Sequence, residues 1–141
     1  MFGRRRDERG TATILILGLS VAVLMLGGLS VDFWRAIAAR RALAAVADSS
    51  AAAGANAVDT GLLRSGAGVQ LDPNVAQAYA TDELQHQSAS RRIEAVTIDA
   101  DSQRVIVVLQ QRIDFSLLAL FGADSGFTVR VSATAAPIRR P

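Results

Sequence analysis

A run of 21 uncharged residues, Thr11 to Val31, most constrains how this chain can fold. As a helix, such a run reaches about 30 Å, which is the hydrocarbon thickness of a bilayer. Eleven of its positions are Leu, Ile or Val, so transfer into a membrane is favourable. A core helix of a soluble protein would carry a polar stripe, and this run has none. The sequence therefore predicts a transmembrane helix over residues 11–31.

The residues that flank this segment predict its orientation. Arginines stand on both sides: Arg4, Arg5, Arg6 and Arg9 in a basic leader over residues 1–10, and Arg35, Arg40 and Arg41 after the segment. The modest excess before the segment favours a cytoplasmic N-terminus and an exported C-terminal part, as a single-pass protein of the cell membrane. Phe33 and Trp34 lie where an aromatic belt would contact the membrane interface.

Small residues within the segment suggest surfaces for lateral packing. Gly18 and Ala22 form one pair with small-xxx-small spacing. Gly27 and Gly28 predict either a bend or a place where another helix approaches closely. Because the segment has no charged residue, any association of these helices must depend on shape and small side chains.

The helical signal continues through residues 32–58, which are rich in Ala and contain no proline. We predict one long helix from about Thr11 to Val58. Alanine contributes little apolar area, but it allows another element to approach closely. Two interpretations stay open: the helix packs against neighbouring helices in an assembly, or it lies on the sheet of its own chain.

Residues 59–141 are predicted to form a small exported α+β domain. Residues 59–70 contain three glycines and show no periodicity, so they are predicted to be a loop. Asp72 and Pro73 are a typical N-cap and first residue of a helix. This helix should extend to about Gln87 and place the apolar residues Val75, Ala76, Tyr79, Ala80 and Leu84 on one face.

Three segments with β-branched residues and alternating polarity predict strands: IEAVTIDA, RVIVVLQQRI and FTVRVSATAA. In the third, Phe127, Val129, Val131, Ala133 and Ala135 should share one face of the sheet. Asp101 and Ser102 should form the turn between the first two strands. The segment SLLALFGADSG predicts an apolar helical turn that ends at Gly122. The predicted fold is a long N-terminal helix, a short second helix and a three-stranded antiparallel sheet.

The sequence offers no arrangement of residues suited to catalysis. The chain has no Cys and only one His, His86, which excludes thiolate sites and a His pair for zinc. Asp99 and Asp101 could form a metal-binding pair, but hairpin turns collect aspartates for conformational reasons. Arginines outside the leader are dispersed among carboxylates, which argues against a nucleic-acid interface. We therefore predict no enzyme activity, cofactor, metal site or nucleic-acid partner.

The leader ending in DERG, the apolar segment and the Ala-rich continuation together resemble the TadE/TadG-like proteins of Tad (Flp) pilus assembly. The segments DFSLLALFG and FTVRVSATAAP resemble the C-terminal part of the same family. The resemblance implies a pilin-like minor pseudopilin, in which a prepilin peptidase would cut between Gly10 and Thr11. Pilin-type substrates usually carry Glu at the fifth mature position, where this chain has Leu15.

These features predict a membrane-anchored minor pseudopilin, or an accessory protein, of Tad/Flp-type pilus assembly or secretion. It would associate through its N-terminal helix with other pilin-like or pilus-assembly proteins. The alternative is a secreted or periplasmic binding module that signal peptidase releases, with a soluble product beginning after Ala39. The long apolar region and the absence of a clear cleavage site favour the retained anchor.

Overall fold

The computed structural model describes residues 8–87, 92–114 and 126–138. The described elements are the helices α1 (Glu8–Ala55), α2 (Thr60–Arg64) and α3 (Pro73–His86) and the strands β1 (Ala95–Ala100), β2 (Val105–Ile113) and β3 (Phe127–Ala135). The predicted α+β class, with a long N-terminal helix and a three-stranded antiparallel sheet, is confirmed.

The chain divides into two compact units, and α1 contributes to both. Among the described residues, the first unit contains α1 up to Ala36. The second contains α1 from Ile37 onward, the two shorter helices and all three strands. The hydrophobic core of the described residues lies in the second unit.

The second half of α1 buries one face against the rest of the second unit. The buried residues follow helical spacing: Leu43, Val46, Ala47, Ser50, Ala51, Gly54 and Ala55. Most of them are small, which allows close approach. A Cβ atom at Gly54 would lie 2.9 Å from the carbonyl oxygen of Ala76 and 3.1 Å from a methyl group of Val105. This half of the helix therefore packs within its own chain, as one of the two interpretations predicted.

The sheet has the order β1-β2-β3, and both pairs of neighbours are antiparallel. Val105, Val107 and Leu109 of the central strand are fully buried and face the helices. Register places Ala133 opposite Val107 and Val131 opposite Leu109, so the alternation predicted for the third strand is confirmed. The sheet thus contributes one apolar face to the core, and the opposite face is partly exposed.

α3 begins where the sequence predicted. The Asp72 carboxylate accepts hydrogen bonds from the backbone N–H groups of Asn74 (3.0 Å) and Val75 (3.2 Å), and Pro73 opens the helix. Its buried face consists of Ala76, Ala80 and Leu84. The predicted placement of Val75 and Tyr79 on that face is wrong, because both side chains are exposed. The 3.6-residue period turns them toward the edge of the buried stripe.

Residues 59–70 were predicted to be a loop, and this prediction is wrong in part, because the segment contains the short helix α2. The Asp59 carboxylate accepts hydrogen bonds from the N–H groups of Gly61 (2.8 Å) and Leu62 (3.0 Å) and so caps the helix. No side chain of this helix is buried, which explains why hydrophobic periodicity gave no signal. Local capping, and not burial, specifies this turn.

The hairpin between β1 and β2 closes at the predicted turn. Asp101 accepts hydrogen bonds through its carboxylate from the backbone N–H groups of Gln103 (2.7 Å) and Arg104 (2.8 Å). The carbonyl of Ser102 accepts a hydrogen bond from the N–H of Leu71, which connects the turn to the segment before α3. The predicted apolar turn that ends at Gly122 lies outside the described residues.

Candidate membrane anchor

The first half of α1 presents apolar side chains on all sides. From Ile14 to Val31 every Leu, Ile and Val is exposed, and only 6% of the most apolar 18-residue window is buried. A helix in water would bury part of such a surface. The mean hydropathy of that window, 2.5, satisfies the requirement for a membrane span, which a signal sequence also satisfies. The helix therefore has the length and composition of a membrane anchor or signal.

The two serine side chains within this half are satisfied by the helix itself. The hydroxyl of Ser20 donates a hydrogen bond to the carbonyl of Ile16 (2.8 Å), and that of Ser30 donates to the carbonyl of Leu26 (2.9 Å). In a hydrocarbon environment an unsatisfied hydroxyl is costly, and this i to i−4 geometry removes the cost without a partner helix. Both serines are thus compatible with contact to lipid.

The small residues predicted to support packing differ in their surroundings. Gly18 and Gly27 are exposed, and a Cβ atom at either position would meet nothing within 4 Å. Ala22 is also exposed, whereas Gly28 is buried. The helix continues without interruption through Gly27 and Gly28. Gly18 and Ala22 therefore form a shallow depression on one face of the helix.

The end of the uncharged run combines exposed aromatic rings with a buried acid. Phe33 and Trp34 are 66% and 68% exposed, as residues of an interfacial belt would be. Asp32, immediately before them, is only 5% exposed. This burial was not predicted from the sequence, although the first acid after a long apolar run is a recognisable position. The helix thus changes from uniformly apolar to mixed polarity within one turn.

Two titratable groups of the second unit, His86 and Asp101, have pKa values shifted by local hydrogen bonds. The carbonyl oxygen of Asp82 lies 2.8 Å from Nδ1 of His86 and, with the Asp82 carboxylate, raises the pKa of His86 above its ordinary value. His86 is exposed at the end of α3. Backbone N–H groups of Gln103 and Arg104 lower the pKa of Asp101. Of the pair Asp99 and Asp101, the second serves the hairpin turn.

The network around Gln87 was also missed by sequence analysis. Its side-chain amide donates hydrogen bonds to the hydroxyl of Ser49 (2.5 Å) and to the carboxylate of Glu83 (2.7 Å). These bonds connect the end of α3 to the second half of α1. Their partners lie 38 and 4 residues away in sequence, so only the tertiary fold brings the first pair together. These hydrogen bonds hold the end of α3 against α1, and the three side chains do not form an arrangement suited to catalysis.

The sequence of α1 was compared with models of known protein families. The family model for TadE/G-like Flp pilus-assembly proteins matches residues 10–57. Over this segment the chain is similar to the TadE/G-like family. Comparisons with curated proteins and with solved structures gave no match. The TadE/G-like match confirms the predicted resemblance over about a third of the chain.

The TadE/G-like segment coincides with α1 and the two residues that follow it. The match begins at Gly10, the residue predicted to end the leader, while α1 begins two residues earlier at Glu8. Gly10 and Thr11 are exposed within the first turns of the helix. Arg4, Arg5 and Arg6 lie outside the described residues. The similarity therefore extends across both the candidate anchor and the part of α1 that packs in the core.

Proposed function

We propose that the protein is a membrane-anchored minor pseudopilin, or an accessory protein, of Tad/Flp-type pilus assembly that acts by associating with other proteins. The observation that carries this proposal is the TadE/G-like match over a helix whose first half exposes only uncharged residues. The family is one of pilus-assembly proteins, and this proposal assigns the chain no enzymatic role. The first half of α1 would be solvated by lipid, and the second unit of the chain would lie outside the cytoplasm.

The proposed orientation has a cytoplasmic N-terminus. The basic leader with Arg4, Arg5, Arg6 and Arg9 supports it, because positively charged flanks are retained on the cytoplasmic side. Phe33 and Trp34 would then lie at the opposite, exported interface. Reversing the bias, by replacing the leader arginines with glutamine, should yield chains of mixed orientation that a protease added outside the cell can distinguish.

We propose that the anchor associates laterally through its small residues. The exposed Gly18 and Ala22 would let a second helix approach without displacing any side chain of this chain. Partners would be the anchors of other pilin-like or pilus-assembly proteins. Replacing Gly18 with Leu should weaken co-purification of these partners in mild detergent, whereas replacing Leu19 with Ile should not.

Leader processing is a further part of the proposal. A prepilin peptidase would cut between Gly10 and Thr11, leaving Thr11 as the first residue of the mature chain. Leu15 replaces the Glu that such substrates usually carry at the fifth mature position, so cleavage would have to proceed without that acid. N-terminal sequencing of the protein from its host tests this directly: a free Thr11 supports processing, and an intact leader excludes it.

The experiment that tests the whole proposal is deletion and complementation in the native host. Deletion of the gene that encodes this protein should abolish or reduce Flp pili at the cell surface, and expression of the wild-type sequence should restore them. The protein itself should stay in the membrane after carbonate extraction. Normal pili in the deletion strain would contradict the assembly role, whereas carbonate release of the chain would contradict the anchor.

A second candidate function follows from the division of the chain into two units. The second unit begins at Ile37 and contains the buried face of α1, which begins at Leu43. Cleavage after Ala39 would therefore leave the core residues together in a secreted or periplasmic binding module. A soluble product that starts at Arg40 would support this candidate, and a chain of full length in the membrane fraction would exclude it.

A further inference from the structure

Two exposed arginines on the second half of α1 follow the predicted interface. Arg40 and Arg41 have no ion-pair partner among residues 8–87, 92–114 and 126–138. Every position three or four residues from either arginine carries Ala, Ile or Leu, so α1 supplies no acid at the spacing that helical ion pairs require. Within the described part of the chain, no acid therefore competes with an outside partner for either guanidinium group.

The height of these arginines along the helix matches the outer part of a bilayer. Arg40 and Arg41 follow Val31 by nine and ten residues, or about 14–15 Å along the axis. Side chains of a helix tilt toward its N-terminus, here toward the apolar segment, and a long arginine stem extends this tilt by about one turn. The guanidinium groups would therefore lie about 8–10 Å from the hydrocarbon, at or just beyond the outer edge of a headgroup layer about 5–8 Å thick.

The chemistry of arginine at this height selects an anionic lipid. Guanidinium forms paired hydrogen bonds with phosphate, and it keeps its charge at any physiological pH. Zwitterionic lipids also contain phosphate, but their ammonium groups offset its charge. A headgroup with net negative charge is therefore the better partner, and this holds for either orientation of the helix.

We propose that Arg40 and Arg41 bind the phosphate groups of anionic phospholipids where α1 leaves the membrane and so fix the depth of the anchor. This inference rests on the proposed membrane anchor, and it adds a lipid class and two binding residues. A basic residue near an anionic surface contributes up to about fivefold to local enrichment, the factor that corresponds to about 1 kcal/mol. Screening by salt should weaken that enrichment.

The chain contains a single tryptophan, Trp34, which provides a built-in fluorescence donor close to these arginines in sequence. The full-length protein would be reconstituted in phosphatidylcholine vesicles that contain a minor fraction of phosphatidylglycerol. Energy transfer from Trp34 would be measured to a dansyl-labelled phosphatidylglycerol and, separately, to a dansyl-labelled phosphatidylcholine. The ratio of the two transfers reports enrichment of the anionic lipid.

The wild-type chain should favour the anionic probe several-fold, and high salt should reduce this preference. The variant R40Q/R41Q should bring the ratio close to one, while R40K/R41K should keep most of the preference. R64Q serves as the matched control, because Arg64 is an exposed arginine on α2. All of these positions are exposed, so folding should be unchanged, which far-ultraviolet circular dichroism can verify.

An unchanged ratio in R40Q/R41Q would overturn the inference and would point to a protein partner or water as the surroundings of these arginines. A preference that persists at high salt would also overturn it. Failure of the anchor has a different signature: neither probe would receive energy from Trp34, and carbonate would release the chain from the vesicles. The two failures can therefore be distinguished.

Discussion

The first half of α1, residues 11–31, and its second half, residues 37–55, use similar small and aliphatic residues in opposite ways. The first exposes its Leu, Ile and Val side chains in all directions. The second buries one face and exposes mostly Ala and charged residues on the other. Because the halves form one helix, this difference shows that size and placement of apolar residues, not helix propensity, determine which half buries a face and which half exposes its apolar side chains.

The largest effect should come from placing a charge in the first half. Leu24→Arg would cost about 3–4 kcal/mol for insertion, since Arg is strongly unfavourable and Leu favourable near the centre of a membrane helix. This corresponds to a change of more than about 100-fold in the inserted fraction. Carbonate extraction of membranes should then release the variant.

The matched control is Ala45→Arg, which adds the same charge to an exposed position of the second half. That variant should remain in the membrane pellet like the wild type. If both variants partition alike, the two halves of the helix do not differ in their solvent, and the comparison fails.

The core of the second unit should respond strongly to truncation. Leu109 is fully buried on the central strand, and Leu109→Ala should lower the free energy of unfolding by about 2–5 kcal/mol. Hydrogen exchange of β2 amides, measured on the full chain in detergent, would report the change. Val96, opposite Leu109 in the register but 46% exposed, is the control, and Val96→Ala should cost less than about 1 kcal/mol.

Sequence patterns predicted the elements of this fold where periodicity and burial agree. The uncharged segment, the Asp72–Pro73 helix start and the three strands all carry such signals, and the structure has each of them. Helix α2 was missed because its only specification is the Asp59 cap. Val75 and Tyr79 were misplaced because apolar character alone does not reveal the edge of a buried stripe.

The candidate anchor could be predicted more completely than the packing around it. An uncharged run of this length has few alternatives in a protein, so the sequence alone predicts a span. The burial of Asp32 and Ser50 depends on which parts of the chain meet in three dimensions. The bond from Gln87 to Ser49 joins residues 38 positions apart, and no local pattern carries that information.

Glycine has opposite consequences in the two halves. Gly54→Ala would place a Cβ atom 2.9 Å from the backbone oxygen of Ala76, and overpacking of this kind should destabilise the second unit by about 1–3 kcal/mol. Gly18→Ala, the control within the same helix, meets no atom within 4 Å. Thermal unfolding of both variants in detergent would test the difference, and equal melting temperatures would contradict the close approach at Gly54.

A smaller change of opposite sign is expected at Ser50. Its hydroxyl is fully buried and has no hydrogen-bond partner within the described part of the chain. Ser50→Ala removes this unsatisfied group and introduces a better helix former, so it should raise the free energy of unfolding by about 1 kcal/mol. Ser49→Ala is the contrast, because Ser49 accepts the bond from Gln87. Destabilisation by Ser50→Ala would indicate a partner for its hydroxyl.

The smallest effect concerns acid stability of the hairpin, far from the anchor in sequence. N–H groups of Gln103 and Arg104 hold the pKa of Asp101 below its ordinary value of 3.8. A lowered folded-state pKa stabilises the fold at pH values above the unfolded-state pKa, and the contribution is lost as pH falls through the folded-state value. Asp101→Ala should therefore lower stability at neutral pH and flatten its decline below about pH 4.

Asp99→Ala changes a neighbouring exposed aspartate without removing the turn bonds, and it provides the control. Protection of β1 and β2 amides against hydrogen exchange, compared at neutral and acidic pH, should separate the two variants. If Asp101→Ala keeps the acid sensitivity of the wild type, other carboxylates determine the pH response of the second unit. The first half of α1 contains no carboxylate between Thr11 and Val31, so any such response belongs to the second unit or to the flanks of the anchor.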